Sequence, residues 1–191
     1  DLLNYNMSNN WKKYLIQFYF VGIILSFIMT ETINDIERKI EQATFGAGCF
    51  WCVEAVFLRV EGIKKVTSGY TGGISKNPTY EEVCSESTGH AEAVQIEFES
   101  QVISFEEILD IFFTIHDPTT LNYQGYDVGT RYRSAIFTHS KFQYTKAKEK
   151  ILEIEKTQTW ANPVVTEVTE LSDFFVAEGY HQNYFDNNIN Q

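Results

Sequence analysis

The feature that most constrains the fold is the alternation of short strand-type segments with helical segments from residue 43 onward. Period-two hydrophobicity and β-branched residues predict strands at 43–46, 63–70, 90–99, 133–138 and 164–171. Helical spacing and capping signals predict helices at 49–59, 77–84, 104–115, 140–156 and 173–185. This order predicts an α+β fold, a two-layer α/β sandwich in which helices pack on one mixed sheet.

Two of the predicted helices begin with capping signals. Asn77 and Pro78 suit the N-cap and the first helical position of one helix. Ser104 and Glu107 form a capping box at the start of another. Residues 116–131 form a long segment rich in Asp, Thr, Asn and Gly, and loops of such length are usually functional or disordered. We expect this loop to contribute to a functional site.

The composition is that of a globular protein, with 43% hydrophobic and 21% charged residues in a chain of 191. The chain has 15 basic and 26 acidic side chains, which gives a net charge of −11. Binding to nucleic acid relies on a basic surface, so this balance argues against a nucleic-acid partner. We expect the protein to be a monomer.

Residues 1–28 differ in character from the remainder, and we interpret them as an N-terminal apolar extension. Lys12 and Lys13 precede an apolar run from Tyr14 to Met29, which is shorter than the ~20 residues that span a bilayer. The run suits an overextended gene start, with Met29 as the true start, or a signal peptide or anchor. We expect a catalytic domain at 29–191 in the cytoplasm; the alternative is a protein exported or membrane-anchored through residues 1–28.

The three cysteines, Cys49, Cys52 and Cys84, are too few and odd in number for a disulfide framework. The C-x-x-C spacing of the first two indicates redox or metal chemistry. Cys49 follows a Gly-Ala-Gly turn and begins a predicted helix, where free backbone amides stabilise a thiolate. It is therefore the best nucleophile candidate, although a buried structural cysteine is the alternative. Phe50 and Trp51 beside it suit an apolar pocket wall or simply the core.

Glu92 lies where a loop ends and a predicted strand begins. If its side chain points inward, burial raises its pKa and keeps the carboxyl protonated as an acid. The alternative is a solvent-facing strand glutamate, and His90 is a rival base that would pair with a cysteine nucleophile. Further polar and aromatic candidates lie upstream and in the long loop; they are Tyr80, Asp127, Thr130, Tyr132 and Arg133.

Three long strings along the chain carry a family resemblance. They are GAGCFWCVEAVF at 46–57, GYTGGISKNPTYEEVCSESTGHAEAVQIEF at 69–98 and FFTIHDPTTLNYQGYDVGTRYRSAIF at 112–137. Together they resemble the signature of the A-type peptide methionine sulfoxide reductases, and the likeness extends over about residues 43–185. Three such strings in the right order are far more specific than a single C-x-x-C pair.

The resemblance implies reduction of the S epimer of methionine sulfoxide, free or in proteins, on an α/β sandwich of ferredoxin-like character. It implies that Cys49 is the nucleophile and that Glu92 is the acid that protonates the sulfoxide oxygen. Tyr80 and Tyr132 would hydrogen-bond to that oxygen, and Asp127 would help to orient the substrate. These roles suit a sulfoxide, whose sulfur becomes a good electrophile only when its oxygen is protonated.

Within the same resemblance, Phe50 and Trp51 would hold the S-methyl group of the substrate. The cycle would need no bound cofactor or metal, and it would leave a sulfenic acid on Cys49 that condenses with a second thiol to a disulfide. Thioredoxin, or dithiothreitol in vitro, would reduce that disulfide. Cys52 lies one helical turn from Cys49 and is the predicted resolving thiol, with Cys84 or an external thiol as alternatives. Many relatives carry resolving cysteines in a C-terminal tail, and residues 184–191 contain none, which leaves the recycling route open.

Three other classes of function fit parts of the sequence. The C-x-x-C pair alone suits a thioredoxin-like oxidoreductase, but those proteins usually place a cis-proline opposite the pair, and the three prolines here lack that context. A metal-binding module would use Cys49, Cys52, Cys84 and His90, although structural zinc sites usually have two close pairs. A non-catalytic binder of oxidised proteins is the third class, and an assay on a methionine sulfoxide peptide separates it from an enzyme.

Overall fold

The computed structural model describes residues 39–189, together with Tyr19 and residues 21–24, which are helical. The chain divides into two units, residues 1–39 and residues 40–191. Most of the predicted apolar extension at 1–28 therefore lies outside the described residues. Within the described part of the chain, no helix combines the length and the apolar character that a membrane span requires.

The second unit is built on one mixed sheet of six strands. The strands of this sheet are β1 (Ile40–Ala47), β2 (Ile63–Thr71), β3 (Ala91–Glu99), β6 (Ser134–Thr138), β7 (Glu167–Glu170) and β8 (Phe174–Val176). They lie in the order β7-β6-β1-β3-β2-β8, and all neighbours are antiparallel except β6 and β7. Two further strands, β4 (Tyr123–Gln124) and β5 (Asp127–Val128), form a separate small hairpin.

Within residues 39–189, five α-helices accompany the sheet. They are α1 (Phe50–Phe57), α2 (Tyr80–Cys84), α3 (Phe105–Ile115), α4 (Lys141–Thr157) and α5 (Tyr184–Asn187). The main core lies between one face of the sheet and helices α1, α3 and α4. At its centre the ring of Phe45 in β1 stacks on Phe57, Phe105 and Phe112, with ring centroids 6.0, 6.3 and 4.9 Å apart. The mixed sheet with helices packed on it confirms the predicted α+β fold class.

The predicted capping box at Ser104 is confirmed, whereas the predicted start of the helix at Asn77 is wrong. Ser104 caps α3 and accepts a hydrogen bond from the backbone N–H of Glu107. Helix α2 instead begins after Thr79, whose hydroxyl accepts from the N–H of Glu82 while the Glu82 carboxylate accepts from the N–H of Thr79. Asn77 has a φ of 50° and lies outside the helix. The reciprocal pair satisfies two free amides, which a lone Asn cap does not.

The predicted aromatic helix at 173–185 is also wrong. The segment begins as strand β8, passes through a 3-10 turn at Gly179–His181, and becomes helical only in α5. Strand β8 pairs with β2, where Gly69 lies opposite Val176. A Cβ atom at Gly69 would lie 2.4 Å from the ring of Phe174, so glycine lets the last strand approach closely. Pairing with the open edge of β2 therefore outweighs the helical preference of this segment.

Candidate active site

The turn between β1 and α1 places Cys49 at the N-cap of the helix. Gly48 has a φ of +86°, which favours glycine, and a Cβ atom there would lie 2.7 Å from Cβ of Gln124. Gln124 in turn binds the backbone of the long loop, because its amide accepts from the N–H of Asp117 at 3.0 Å and donates to the carbonyl of Asp117 at 2.6 Å. The long loop predicted to be functional thus packs directly against the Cys49 turn.

Cys49 and Cys52 form a hydrogen-bonded pair of thiols, with Cys49 half-buried and Cys52 exposed. The bond from Cys49 to Cys52 raises the pKa of Cys49 above its usual range, and burial acts in the same direction, while the backbone amides of Cys52 and Trp51 oppose it. The same bond lowers the pKa of Cys52 to about 7. The two sulfurs share one proton, so the first proton of the pair is lost near neutral pH.

The carboxyl group of Glu92 is buried beside this pair. Glu92 lies in β3, is 2% exposed, and its Oε2 accepts a hydrogen bond of 3.2 Å from the backbone N–H of Phe50. Burial raises the pKa of Glu92 to about 8; Cys49 and Asp127 add to the rise, while the Phe50 amide and Arg131 oppose it. Glu92 therefore holds its proton at neutral pH and can act as an acid next to the thiol pair.

The two predicted tyrosines lie close enough to the same carboxyl group for its charge to affect them. Tyr80 is the first residue of α2, and Tyr132 ends a 3-10 turn at Thr130–Tyr132. Burial raises the pKa of both phenols, and the charge of Glu92 raises them further, so both hydroxyls remain proton donors. Tyr80 also forms a hydrogen bond with Cys84. The structure thus brings Tyr80, Tyr132 and Glu92 together on the side of the thiol pair.

Asp127 is exposed and begins β5, directly after the turn of the β4–β5 hairpin. Its charge raises the pKa of both Cys52 and Glu92, so it lies near the site but at its rim. It shares one face of the hairpin with its partner Gln124, which packs against Gly48.

Phe50 and Trp51 form an aromatic wall that the C-terminal segment completes. Phe50 is buried, and its ring lies 6.2 Å from that of Trp51. Nε1 of Trp51 donates a hydrogen bond of 3.0 Å to Nδ1 of His181, and the indole stacks on Tyr184 at 3.7 Å with an interplanar angle of 6°. Glu54 of α1 accepts a hydrogen bond of 3.3 Å from the backbone N–H of Tyr184. The orientation of Trp51 is therefore set by residues distant in sequence.

His90, the rival base, is engaged in a loop instead. Its Nδ1 accepts a hydrogen bond of 3.0 Å from the N–H of Gly73, so its Nε2 donates to the carbonyl of Ser75 at 2.8 Å. Both ring nitrogens are thus used to hold residues 73–75. Among the described residues there is also no group of three or more His, Cys, Asp or Glu arranged to hold a metal ion.

Sequence reasoning missed several residues that build the site, namely Glu86, Arg131, His181 and Tyr184. Glu86 accepts hydrogen bonds from the backbone N–H and the hydroxyl of Thr130 and from Nη1 of Arg131, and so it fixes the turn that carries Tyr132. Glu86 and Arg131 lie inside the strings, whereas His181 and Tyr184 lie only within the wider range of resemblance at residues 43–185. No stronger signal was available, because each residue acts through contacts between distant segments.

A hydrogen-bonded thiol pair next to a neutral buried carboxyl group defines the protein as a thiol-dependent oxidoreductase. The sequence profile of the peptide methionine sulfoxide reductases matches residues 41–191. The peptide methionine sulfoxide reductase MsrA of Polynucleobacter asymbioticus is 53% identical over 163 residues, which is 83% of this chain and 86% of that protein. This chain belongs to the peptide methionine sulfoxide reductase family, and it reduces methionine sulfoxide.

Solved structures agree with this assignment. The crystal structure of reduced Mxr1 from Saccharomyces cerevisiae has a TM-score of 0.75 at 34% identity, covering 80% of this chain and 88% of that chain. The structure of Mxr1 in complex with Trx2 has a TM-score of 0.54 at 26% identity, covering 76% and 85% respectively.

Proposed function

We propose that the chain reduces the S epimer of methionine sulfoxide through Cys49, with Glu92 as the acid. The observation that carries this proposal is the burial of the Glu92 carboxyl beside α1, where it accepts from the N–H of Phe50, the residue that follows Cys49. Tyr80 and Tyr132 hydrogen-bond to the sulfoxide oxygen, while Phe50 and Trp51 contact the S-methyl group, which offers only apolar surface.

The first chemical step moves two electrons from Cys49 to the substrate. The thiolate of Cys49 attacks the sulfoxide sulfur, and Glu92 gives its proton to the oxygen as the sulfur–oxygen bond breaks. The bond formed between the two sulfurs breaks as the protonated oxygen passes to the sulfur of Cys49, so the products are methionine, a sulfenic acid on Cys49 and the carboxylate of Glu92. The thiol pair loses one proton near neutral pH, and this loss supplies the attacking thiolate of Cys49.

We propose that Cys52 then resolves the sulfenic acid. The hydrogen bond between the two thiols supports this assignment, whereas Cys84 is engaged with Tyr80. The thiol of Cys52 displaces the sulfenic oxygen as water and forms a Cys49–Cys52 disulfide. Thioredoxin is the proposed reductant of this disulfide, supported by the complex of Mxr1 with Trx2, and no cofactor takes part.

Asp127 at the rim orients the substrate in this scheme. The residues proposed to act lie between Cys49 and Tyr132 of one chain, so the site does not need a second copy and we propose a monomer with its catalytic domain at 29–191. The cycle consumes thiols, which a reducing cytoplasm supplies, so we also propose that the protein acts in the cytoplasm. Light scattering tests the proposed monomer, and cell fractionation tests the proposed location.

A stereospecific assay with dithiothreitol tests the proposed function. The reduced protein should convert the S epimer and spare the R epimer, because inversion at sulfur would direct the oxygen at the aromatic wall. A Cys49→Ser control should convert neither. Equal rates on both epimers would contradict the proposed site.

A further inference from the structure

Arg131 has a buried guanidinium nitrogen without a hydrogen-bond acceptor among the described residues. Its Nη1 is held by Glu86 and by the carbonyl of Cys84 at 3.4 Å, and its guanidinium lies 4.4 Å above the ring centroid of Tyr132. Its Nε is buried and has no hydrogen-bond partner among the residues that the structure describes. A buried donor of this kind is costly unless some state of the protein satisfies it.

This nitrogen faces the carboxyl group of Glu92. Nε of Arg131 lies 4.0 Å from Oε1 of Glu92, which is beyond hydrogen-bond distance. The other oxygen, Oε2, already accepts from the backbone N–H of Phe50. Oε1 is therefore the oxygen left to carry the proton, and it is the one on which charge develops when that proton leaves.

We propose that Arg131 is a positioning residue for the acid step: its Nε–H closes on Oε1 of Glu92 as the carboxyl group gives up its proton, and it holds the resulting carboxylate. This inference rests on the proposed role of Glu92. A charge-assisted hydrogen bond of about 2.8 Å is stronger than a neutral one, so the contact gains strength as the proton moves. Glu86 keeps the guanidinium in place for this contact, since it binds Nη1 and leaves Nε free.

The groups around Glu92 determine how its loss of a proton depends on pH. The groups that face it are Cys49 and Cys52 of α1, Tyr70 of β2, Tyr80 of α2, Asp127 of β5, and Arg131 and Tyr132 of the 3-10 turn. Arg131 is the one cation among these groups, so removing its charge should raise the pKa of Glu92.

The test is the pH dependence of the first turnover, measured as methionine formed by the reduced enzyme after rapid quenching. At alkaline pH the wild-type rate should fall as Glu92 loses its proton. We call this falling part of the pH profile the alkaline limb. In Arg131→Gln the limb should move up by about one pH unit, and the rate at pH 7 should fall about three- to tenfold because Glu92 becomes a weaker acid. Arg131→Lys keeps the charge, so its limb should stay near that of the wild type.

Arg59→Gln is the matched control, because Arg59 is an exposed cation that pairs with Asp186 at 3.7 Å. Its limb should not move. If Arg131→Gln does not fold, the double variant Glu86→Gln/Arg131→Gln replaces it, because this variant also removes the Glu86 carboxylate that would be left unpaired. Its alkaline limb should lie about one pH unit above that of Glu86→Gln alone. An unchanged limb in the Arg131 variants, or an equal shift in Arg59→Gln, overturns the inference. A limb that persists in Glu92→Gln instead overturns the role of Glu92 itself.

Discussion

At the scale of single residues, the two thiols and Glu92 define a narrow pH range for the reaction. The thiol pair loses its first proton near pH 7, and Glu92 loses its proton near pH 8. The productive state needs the pair deprotonated and Glu92 protonated. The acid and the nucleophile are thus matched by their surroundings, since burial raises the pKa of one and hydrogen bonding lowers that of the other.

Glu92→Gln should keep the substrate in place but lose rate, because the amide donates a hydrogen bond yet cannot release a proton. We expect the first turnover to slow by about 10²–10⁴-fold, and the profile to lose its alkaline limb while it still rises through about pH 7. Rapid-quench measurements from pH 6 to 9.5 check both. A near-normal rate at neutral pH would show that Glu92 is not the acid.

Cys52→Ser should complete the first turnover and then stall with thioredoxin, because no adjacent thiol can condense with the sulfenic acid. One equivalent of methionine sulfoxide followed by mass spectrometry should give a Cys49–Cys52 disulfide in the wild type and in the control Cys84→Ser. A Cys49–Cys84 disulfide in the wild type, or full thioredoxin-driven turnover of Cys52→Ser, would contradict the assignment.

At the scale of elements, the C-terminal segment orients a residue of α1. Trp51 contacts His181 through a hydrogen bond and Tyr184 through a stacked ring. Helix α5 has only four residues and would not be stable alone, so it is held by these contacts and by Glu54. The aromatic wall therefore depends on a short segment that is itself stabilised by contacts with other parts of the fold.

Tyr184→Ala should loosen Trp51 and weaken substrate binding. An aromatic stacking contact contributes about 0.5–1.5 kcal/mol, so we expect KM for a methionine sulfoxide peptide to rise about two- to tenfold. The rate at which iodoacetamide alkylates the thiols should change little, because the ring of Tyr184 stacks on the indole of Trp51. Tyr144→Ala on α4 removes a half-exposed tyrosine distant from the site, and it should leave KM unchanged.

The sequence predicted correctly those elements whose determining residues lie close together along the chain. The capping box of Ser104 and Glu107 and the alternation of β3 lie within a few residues, and both agree with the structure. Glu92 also shares its strand face with Val94, Ile96 and Phe98, which are buried, so its inward orientation was present in the period-two pattern. Residues 173–185 could not be predicted in this way, because strand β8 exists only through its pairing with β2.

The site depends similarly on contacts that a linear sequence does not display. Arg131 was missed because its orientation is set by Glu86, which lies 45 residues earlier. The pKa shifts of the two thiols depend on the hydrogen bond between their side chains, whereas the sequence offered only the position of Cys49 at a helix start.

At the scale of the whole molecule, the proposed active residues lie within the unit at residues 40–191. A chain that begins at Met29 should therefore fold and reduce methionine sulfoxide at the rate of the full chain. Thermal unfolding and the dithiothreitol assay, run side by side on both chains, check this prediction. Failure of the shorter chain to fold would contradict the proposed domain boundary, and fractionation of cells producing each chain would then locate them.

The hydrogen bond between Trp51 and His181 joins residues 130 positions apart. During translation, the ribosome releases the nucleophile long before it releases the histidine and Tyr184. A nascent chain that already exposes Cys49 and Cys52 thus carries reactive sulfurs without a finished methyl pocket. The aromatic wall is complete only when residues through Tyr184 have emerged, so full affinity for the substrate is the last property of the site to form during synthesis.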